Sequence, residues 1–434
     1  MTLNHQPNIG CAYLLPFLIY FTVNSIALLQ PSYGTDLKQE SSIINQITLT
    51  LAYTTALILI LKQHGLLPYI LKRAIPLCAL FLFTLISFYW SYFPSKVFIS
   101  FIHNVGLSLI AICMAIYLLS NKNNFFKLLL IILMLYIFTS IIVTIYMPHI
   151  GVMTSSNIYD ISLIGRWRGL TGHPNSLGII CLFTTWVCSC ALFKSKNNKW
   201  VYFLAVVSLA GTFYCLHKAD SMTSLILSIA LVLGISGFYL INSSSRNTKL
   251  IKTLSCVFLF IIGIFFIYIQ HPEIFTVKFF FHLIGRNENL SGRTSLWEIG
   301  LKGHEAKPIL GWSFDNLRSF MSTYKLGYGQ LHNGYLDLLV RGGYISIFLL
   351  ILIILQLFLR IIKEAMDNNQ DYPIVLSLIT VVLIHNITEA SILSNSSLTW
   401  LMFLISYFTT LLTYKYKSKS HTQQKITYKS NTTF

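Results

Sequence analysis

The sequence predicts an all-α polytopic membrane protein, with about twelve transmembrane helices and one long outward loop that contains short helices. Three observations carry this. Hydrophobic residues make up 55% of the 434-residue chain and charged residues only 10%, against roughly a quarter charged in soluble domains. Apolar runs recur that reach the ~17–25 residues a helix needs to cross a bilayer. One segment, from Gln270 to Leu331, interrupts them with polar sequence carrying Arg286, Arg293 and Arg318. Open strands are excluded as spans, because their backbone groups would find no partners in lipid.

The apolar runs fall at about 9–29, 45–62, 74–90, 98–119, 127–147, 175–193, 201–217, 222–241, 251–269, 334–360, 373–393 and 397–414. Thr48, Thr50, Thr54 and Thr55 dilute the second. The tenth is longer than a bilayer needs, so its first turns extend beyond the membrane or line a cavity. The chain therefore divides into spans one to nine (1–269), a polar loop carrying part of the site (270–333), spans ten to twelve (334–414) and a basic tail (415–434). The first span follows no basic region and no cleavage signature, and reads as a retained anchor.

With twelve spans, both termini lie on one side. That side holds eighteen of the 31 Lys and Arg and three of the 14 Asp and Glu, so the net charge of +17 divides into +15 and +2. The positive-inside rule assigns the +15 side to the cytoplasm and the long loop to the periplasm or cell exterior. The Lys-rich tail reads as a topology anchor or a contact for membrane lipids. The basic residues are otherwise scattered over short loops, which predicts no nucleic-acid partner.

Cys11, Cys78, Cys113, Cys181, Cys188, Cys190, Cys215 and Cys256 fall in or at the ends of apolar spans without a CxxC pair. This predicts buried thiols, no disulfide and no metal site. The chain has no DxD or ExD pair, no Walker sequence and no dinucleotide-binding glycine pattern. A metal-dependent nucleotide-sugar enzyme and an ATP-driven pump are disfavoured.

Four outward segments gather polar groups. Arg166-Trp167-Arg168-Gly169-Leu170-Thr171-Gly172-His173-Pro174-Asn175-Ser176 precedes span six. Its glycines and proline break the chain, and Asn175 or Ser176 can cap the helix. The arginines read as interfacial turn residues or as an anion site beside helix-start amides. In His217-Lys218-Ala219-Asp220-Ser221, Lys218 pairs with Asp220 or adds charge to that anion site. In the long loop, Ser291-Gly292-Arg293-Thr294-Ser295-Leu296-Trp297-Glu298 reads as a helix start ending near Gly303. Ser313 begins a second helix with Phe314, Leu317, Phe320 and Met321 on one face, and both helices lie on the membrane surface or over a cavity. Arg286 and Arg293 flank a turn, and guanidinium forks at a membrane face suit phosphate.

His332-Asn333-Gly334 opens span ten. Asn333 reads as its N-cap and Asp337 pairs with Arg341 at i,i+4. His332 is a candidate general base, because histidine is the residue type that titrates near neutral pH. His385, Asn386 and Glu389 lie near the outer end of span eleven. Intramembrane polar groups face a cavity or a partner, so Glu389 either supports the site or neutralises an arginine.

The ordered set Trp90-Ser91-Tyr92-Phe93-Pro94, Gly169-Leu170-Thr171-Gly172-His173-Pro174-Asn175, Ser291-Gly292-Arg293-Thr294-Ser295-Leu296-Trp297, Pro308-Ile309-Leu310-Gly311-Trp312 and His332-Asn333-Gly334-Tyr335-Leu336 resembles the O-antigen ligase/polymerase family over roughly residues 85–415. The resemblance implies a GT-C-like, twelve-span glycosyltransferase. Such enzymes transfer glycans from undecaprenyl diphosphate outside the bacterial inner membrane, without metal or other cofactor. It implies His332 as the base and Arg293 as a diphosphate ligand. Arg168 carries over less directly, and Arg286 is assigned from position alone. One departure is Ser221-Met222-Thr223-Ser224, with Met222 where relatives often carry a basic residue; Lys218 is read as its substitute. Asn333, Glu389, Arg166 and His173 are read as supporting residues.

The implied partners are an undecaprenyl-diphosphate-linked glycan donor, a glycan or lipid A–core acceptor, and membrane lipids. Direct attack of a deprotonated hydroxyl on the anomeric carbon would invert it. A ligase, a polymerase and a protein O-oligosaccharyltransferase differ only in the acceptor. The rival from another class is a lipid-linked glycan transporter, but no internal repeat of the kind common in transporters is visible.

Overall fold

The computed structural model describes residues 10–26, 43–154, 163–194, 198–242, 293–326, 329–367, 369, 371–395 and 397–431. Of residues 240–242, 293–294 and 417–431 it describes the backbone alone. The predicted ninth span, Arg286 and Cys256 lie outside the described residues. The chain is an all-α polytopic membrane protein. Its helices are α1 (Leu15–Ser25), α2 (Ile43–Leu61), α3 (Leu66–Arg73), α4 (Ile75–Ile86), α5 (Pro94–Ser120), α6 (Lys122–Tyr146), α7 (Pro148–Gly151), α8 (Pro174–Lys194), α9 (Lys199–Ala219) and α10 (Met222–Asn242). After the long loop begin α11 (Arg293–Ala306), α12 (Arg318–Thr323), α13 (Gly334–Met366), α14 (Tyr372–His385) and α15 (Leu398–Asn431).

Among the described residues, seven helices are long and apolar enough to cross a membrane, or eight if the bent pair α3–α4 forms one span. The predicted first and eleventh spans correspond to shorter apolar helices. The helix α3 was not anticipated, since the sequence there reads as a basic loop. It buries Leu66 and Ile70, leaves Lys72 and Arg73 exposed, and turns through 83° into the following span. Pro76 in the first turn of α4 has no N–H to continue the earlier helix.

The threonine-rich second span is helical because its hydroxyls are satisfied internally. Thr48, Thr50, Thr54 and Thr55 each donate to the carbonyl four residues earlier, at 2.6, 2.7, 2.8 and 2.7 Å. That back-bonding lowers the cost of hydroxyls in lipid. In the bundle α5 packs along α15, α8 along α9 and α10, and α13 along α4. Trp186 is buried among Phe126 and Phe183, and its indole N–H donates to the Ile374 carbonyl at 3.0 Å, tying α8 to α14.

The segment between α11 and α13 is docked on the bundle, and its anchoring explains two of the sequence motifs. Helix α13 breaks at Gly343, whose φ is +58°. A break in a helix strands carbonyls and amides that must find other partners. The carbonyls of Val340 and Arg341 accept from Trp312 N and Ser313 N, both at 2.9 Å, and Tyr344 N donates to the Pro308 carbonyl at 2.8 Å. The Pro308–Trp312 stretch thus replaces the missing helical bonds. The backbones approach so closely that a Cβ on Gly343 would lie 2.2 Å from the Ile309 carbonyl oxygen.

The second anchor is Asp315, fully buried. Its carboxylate accepts from Ser91 Oγ at 2.7 Å and from the hydroxyl of Ser319, while Tyr92 N donates to Ser319 Oγ at 3.0 Å and Phe314 N to Ser87 Oγ at 3.1 Å. Phe314 stands edge-on to Phe83. The predicted apolar face of Phe314, Leu317, Phe320 and Met321 is buried, but the helix begins only at Arg318, because Asn316 and Leu317 take left-handed φ values of 62° and 61°. Three of the four pack with Trp312, Leu331, Leu336 and Val340 in a small core of their own. Burying each large side chain there contributes about 1.5–3 kcal/mol.

Candidate functional site

The start of α13 holds His332 in an unusual backbone conformation. Its φ is +52°, a region that costs a non-glycine residue free energy and persists only when neighbours impose it. Both neighbours are fixed. The Leu331 carbonyl accepts from Trp297 Nε1 at 2.9 Å, which also brings the beginning of α11 to this loop. On the other side Asn333 caps the helix, as predicted, with its side-chain oxygen accepting from Tyr335 N at 3.1 Å and Leu336 N at 3.0 Å.

The helix start is pressed against the turn after α14. Gly334 N donates to the Asn386 carbonyl at 2.8 Å. The predicted Asp337–Arg341 pair forms at 2.7 Å and is buried. Arg341 then donates to the carbonyls of Leu393 at 3.2 Å and Ile392 at 2.5 Å. One buried cation therefore fixes the 391–395 turn against α13.

These contacts bring Glu389 to His332. Its Oε2 lies 3.4 Å from His332 Nδ1, with the histidine side chain 27% exposed and the carboxylate 14%. Gln330 Nε2 lies 3.3 Å from the same ring nitrogen. A carboxylate only accepts, so its bond to His332 requires a proton on Nδ1, whereas a bond from the Gln330 amide nitrogen, a donor, requires Nδ1 bare; the charge-assisted bond to Glu389 is the stronger of these two alternatives. Nε2 is then the ring nitrogen left with its lone pair.

Glu389 Oε1 accepts from Asn175 Nδ2 at 2.8 Å. Asn175 Oδ1 accepts from Arg166 Nη2 at 3.2 Å. Arg166 also donates through Nε to the Ala219 carbonyl at 2.9 Å and through Nη2 to the Asp220 carbonyl at 3.0 Å. Its Nε stands 4.0 Å from the Asp220 carboxylate. Asp220 thus faces Arg166, whereas pairing with Lys218 was one of the two sequence readings. Lys218 is exposed, with its ammonium 5.9 Å from the Tyr214 ring centre.

Arg168 donates to the carbonyls of Ile150 at 2.7 Å and His149 at 3.1 Å, and partial burial lowers its pKa. Trp167 N donates to the Lys218 carbonyl at 3.0 Å, joining the Arg166–Arg168 stretch to the turn that bears Lys218. His173, rather than Asn175 or Ser176, caps α8, because its Nδ1 accepts from Asn175 N at 3.1 Å. Met222 opens α10, and the adjacent Thr223 meets Thr388, whose hydroxyl donates to it at 3.1 Å.

The structure thus gathers His332, Asn333, Glu389, Arg166, Arg168, His173 and Lys218 at one end of the bundle. Arg293 begins α11, one turn before Trp297, but its side chain and the whole of Arg286 lie outside the described residues. Sequence reading took Asn175 as a helix cap and as part of the Gly169–Asn175 motif, gave it no role in the site, and passed over Gln330 altogether. Among the described residues, no group of three or more His, Cys, Asp or Glu side chains could hold a metal ion.

Comparison with known proteins bears on the same region. Residues 175–351 match the family model described as O-antigen ligase. The match includes Asn175, Lys218, Arg293 and His332, and leaves Arg166, Arg168, His173 and Glu389 outside. The chain is similar to the exopolysaccharide production protein ExoQ of Rhizobium meliloti, 22% identical over 218 residues that cover 47% of this chain and 48% of that protein. It is also similar to an uncharacterized protein of Haemophilus influenzae, 33% identical over 93 residues that cover 19% of this chain and 23% of that one. The chain spans about half the length, or less, of these curated relatives. The segment that carries His332 and its helix cap lies within the match to the O-antigen ligase family model.

Proposed function

We propose that this chain is a glycosyltransferase of the ligase or polymerase type, which moves a glycan from undecaprenyl diphosphate to an acceptor hydroxyl with His332 as general base. The observation that carries the reading is the His332–Glu389 contact at 3.4 Å. It leaves Nε2 able to accept a proton and places a carboxylate to stabilise the imidazolium that forms. The acceptor O–H proton passes to His332 Nε2 as the acceptor oxygen bonds to the anomeric carbon. The bond from that carbon to the diphosphate oxygen breaks, and undecaprenyl diphosphate leaves. Attack opposite the leaving group inverts the anomeric centre. A positioned base of this kind contributes about 10²–10⁴-fold.

Arg293, Arg286, Arg168 and Lys218 hold the diphosphate in this reading. Cations there stabilise charge developing on the leaving oxygen, the task a metal performs elsewhere. The Arg168 guanidinium spends Nε and Nη2 on backbone carbonyls, so it supports the scheme mainly as a fixed charge. The reading includes twelve GT-C-like spans in the bacterial inner membrane, cytoplasmic termini and a periplasmic site. The favoured acceptor is lipid A–core. The similarity to a protein named for exopolysaccharide production favours, as a second reading, a polymerase that joins lipid-linked repeat units.

The test is transfer by purified protein with lipid-linked donor. His332→Ala is expected to remove activity while the protein still folds, and full activity in that variant would sink the base assignment. Glycolipids of a strain lacking the protein separate the acceptors. Bare core with polymer stranded on the carrier means ligase, and core capped by a single repeat means polymerase.

A further inference from the structure

We propose that Asn175 is a positioning residue that sets the Glu389 carboxylate and, through it, the tautomer of His332. The inference rests on His332 being the base. Its ground is a chain of four side chains, Arg166 and Asn175 from one segment and Glu389 and His332 from two others far away in sequence.

The chemistry of the two ends fixes the middle. An arginine only donates hydrogen bonds and a carboxylate only accepts them. Asn175 lies between one of each, so its amide has a single orientation, oxygen to Arg166 and nitrogen to Glu389. Arg166 cannot wander, because its Nε and Nη2 are also committed to the Ala219 and Asp220 carbonyls and its side chain is only 12% exposed. The Asn175 backbone is equally constrained, with its N–H on His173 Nδ1 at the start of α8.

The terminal torsion of a glutamate is broad and roughly two-fold, so an unrestrained Glu389 carboxylate would sample many orientations around His332. Pinning Oε1 at 2.8 Å presents Oε2 to Nδ1.

The substitution Asn175→Asp isolates the role. It keeps, and by charge strengthens, the bond to Arg166, but removes the donor to Glu389 and sets two carboxylates side by side. Asn175→Ala removes both bonds. The assay uses full-length protein in detergent or nanodiscs, with undecaprenyl-diphosphate glycan and lipid A–core extracted from a strain that lacks the protein. For Asn175→Asp, kcat is expected to fall about 10²-fold, the scale of a misaligned catalytic group, with KM for the lipid-linked donor unchanged. In a Glu389→Gln background the same substitution should add no further loss, since the two act through one path.

Wild-type kcat in Asn175→Asp, with Asn175→Ala losing activity only in step with thermal stability, would reduce Asn175 to a structural tie and overturn the proposal. A raised KM at unchanged kcat, or a loss that adds fully to that of Glu389→Gln, would also overturn it. His332→Ala in the same assay keeps the two readings apart. If that variant is active, the base assignment itself fails; if it is inactive while Asn175→Asp is normal, only the role of Asn175 fails.

Discussion

Gly334→Ala tests the geometry of the site without touching a group that does chemistry. Gly334 lies two residues after His332 and faces Asn386, three residues before Glu389. A Cβ there would sit 2.2 Å from Asn386 Oδ1 and 3.0 Å from its Cγ. The asparagine cannot swing aside. Its Oδ1 accepts from Ser391 N at 3.1 Å and Ser391 Oγ at 2.8 Å, and its Nδ2 donates to the Val382 carbonyl at 2.8 Å. The first turn of α13 must therefore move by about 1.2 Å to restore ordinary contact at 3.4 Å. Overpacking of this kind costs about 1–3 kcal/mol of stability. A shift of that size also separates His332 from Glu389, already 3.4 Å apart, and a misplacement near 1 Å lowers kcat by about 10²-fold. The assay is single-turnover transfer with purified protein, alongside a thermal-unfolding midpoint in the same detergent. Gly237→Ala is the control, because nothing lies within 4 Å of its added methyl. If Gly334→Ala transfers at the wild-type rate with an unchanged midpoint, the close packing of α13 on Asn386 does not position the base and the reasoning fails.

Other outcomes follow from the anchoring contacts. Arg341→Ala leaves Asp337 buried without its cation and frees two carbonyls of the 391–395 turn; a loss of about 3–5 kcal/mol is expected in the thermal midpoint. Gly343→Ala combines a positive φ with a Cβ 2.2 Å from the Ile309 carbonyl oxygen, so the 308–313 stretch should detach from α13 and become a site of protease cleavage. Asp315→Ala removes the acceptor shared by Ser91 and Ser319 and should cost about 1–3 kcal/mol, read as faster proteolysis within 313–323 at an unchanged cleavage rate elsewhere. Transfer is expected to persist in EDTA, and activity that disappears on chelation and returns with a divalent cation would refute the assignment of charge stabilisation to arginine and lysine.

Much of this protein is legible along the chain because lipid makes local demands. A backbone in hydrocarbon must bond to itself, so long apolar runs become helices. Even the threonine-rich second run obeys, since its hydroxyls find carbonyls four residues back. The Asn333 cap and the Asp337–Arg341 pair were equally readable, because each joins residues within one or two turns of a single helix. His332 was readable as a polar group at the point where loop meets span.

What escaped the sequence is what depends on two distant segments meeting. Nothing near Gly343 says that α13 can break there, because the partners that make the break tolerable come from Pro308, Trp312 and Ser313. The sequence marks Asn175 as a helix-start residue within the Gly169–Asn175 motif but does not show what it touches, since it stands between Arg166 and a carboxylate 214 positions away. Hydropathy and capping are properties of a stretch of chain. The direction in which Glu389 points is a property of how the helices pack, and only packing brings His332, Glu389 and Asn175 into contact.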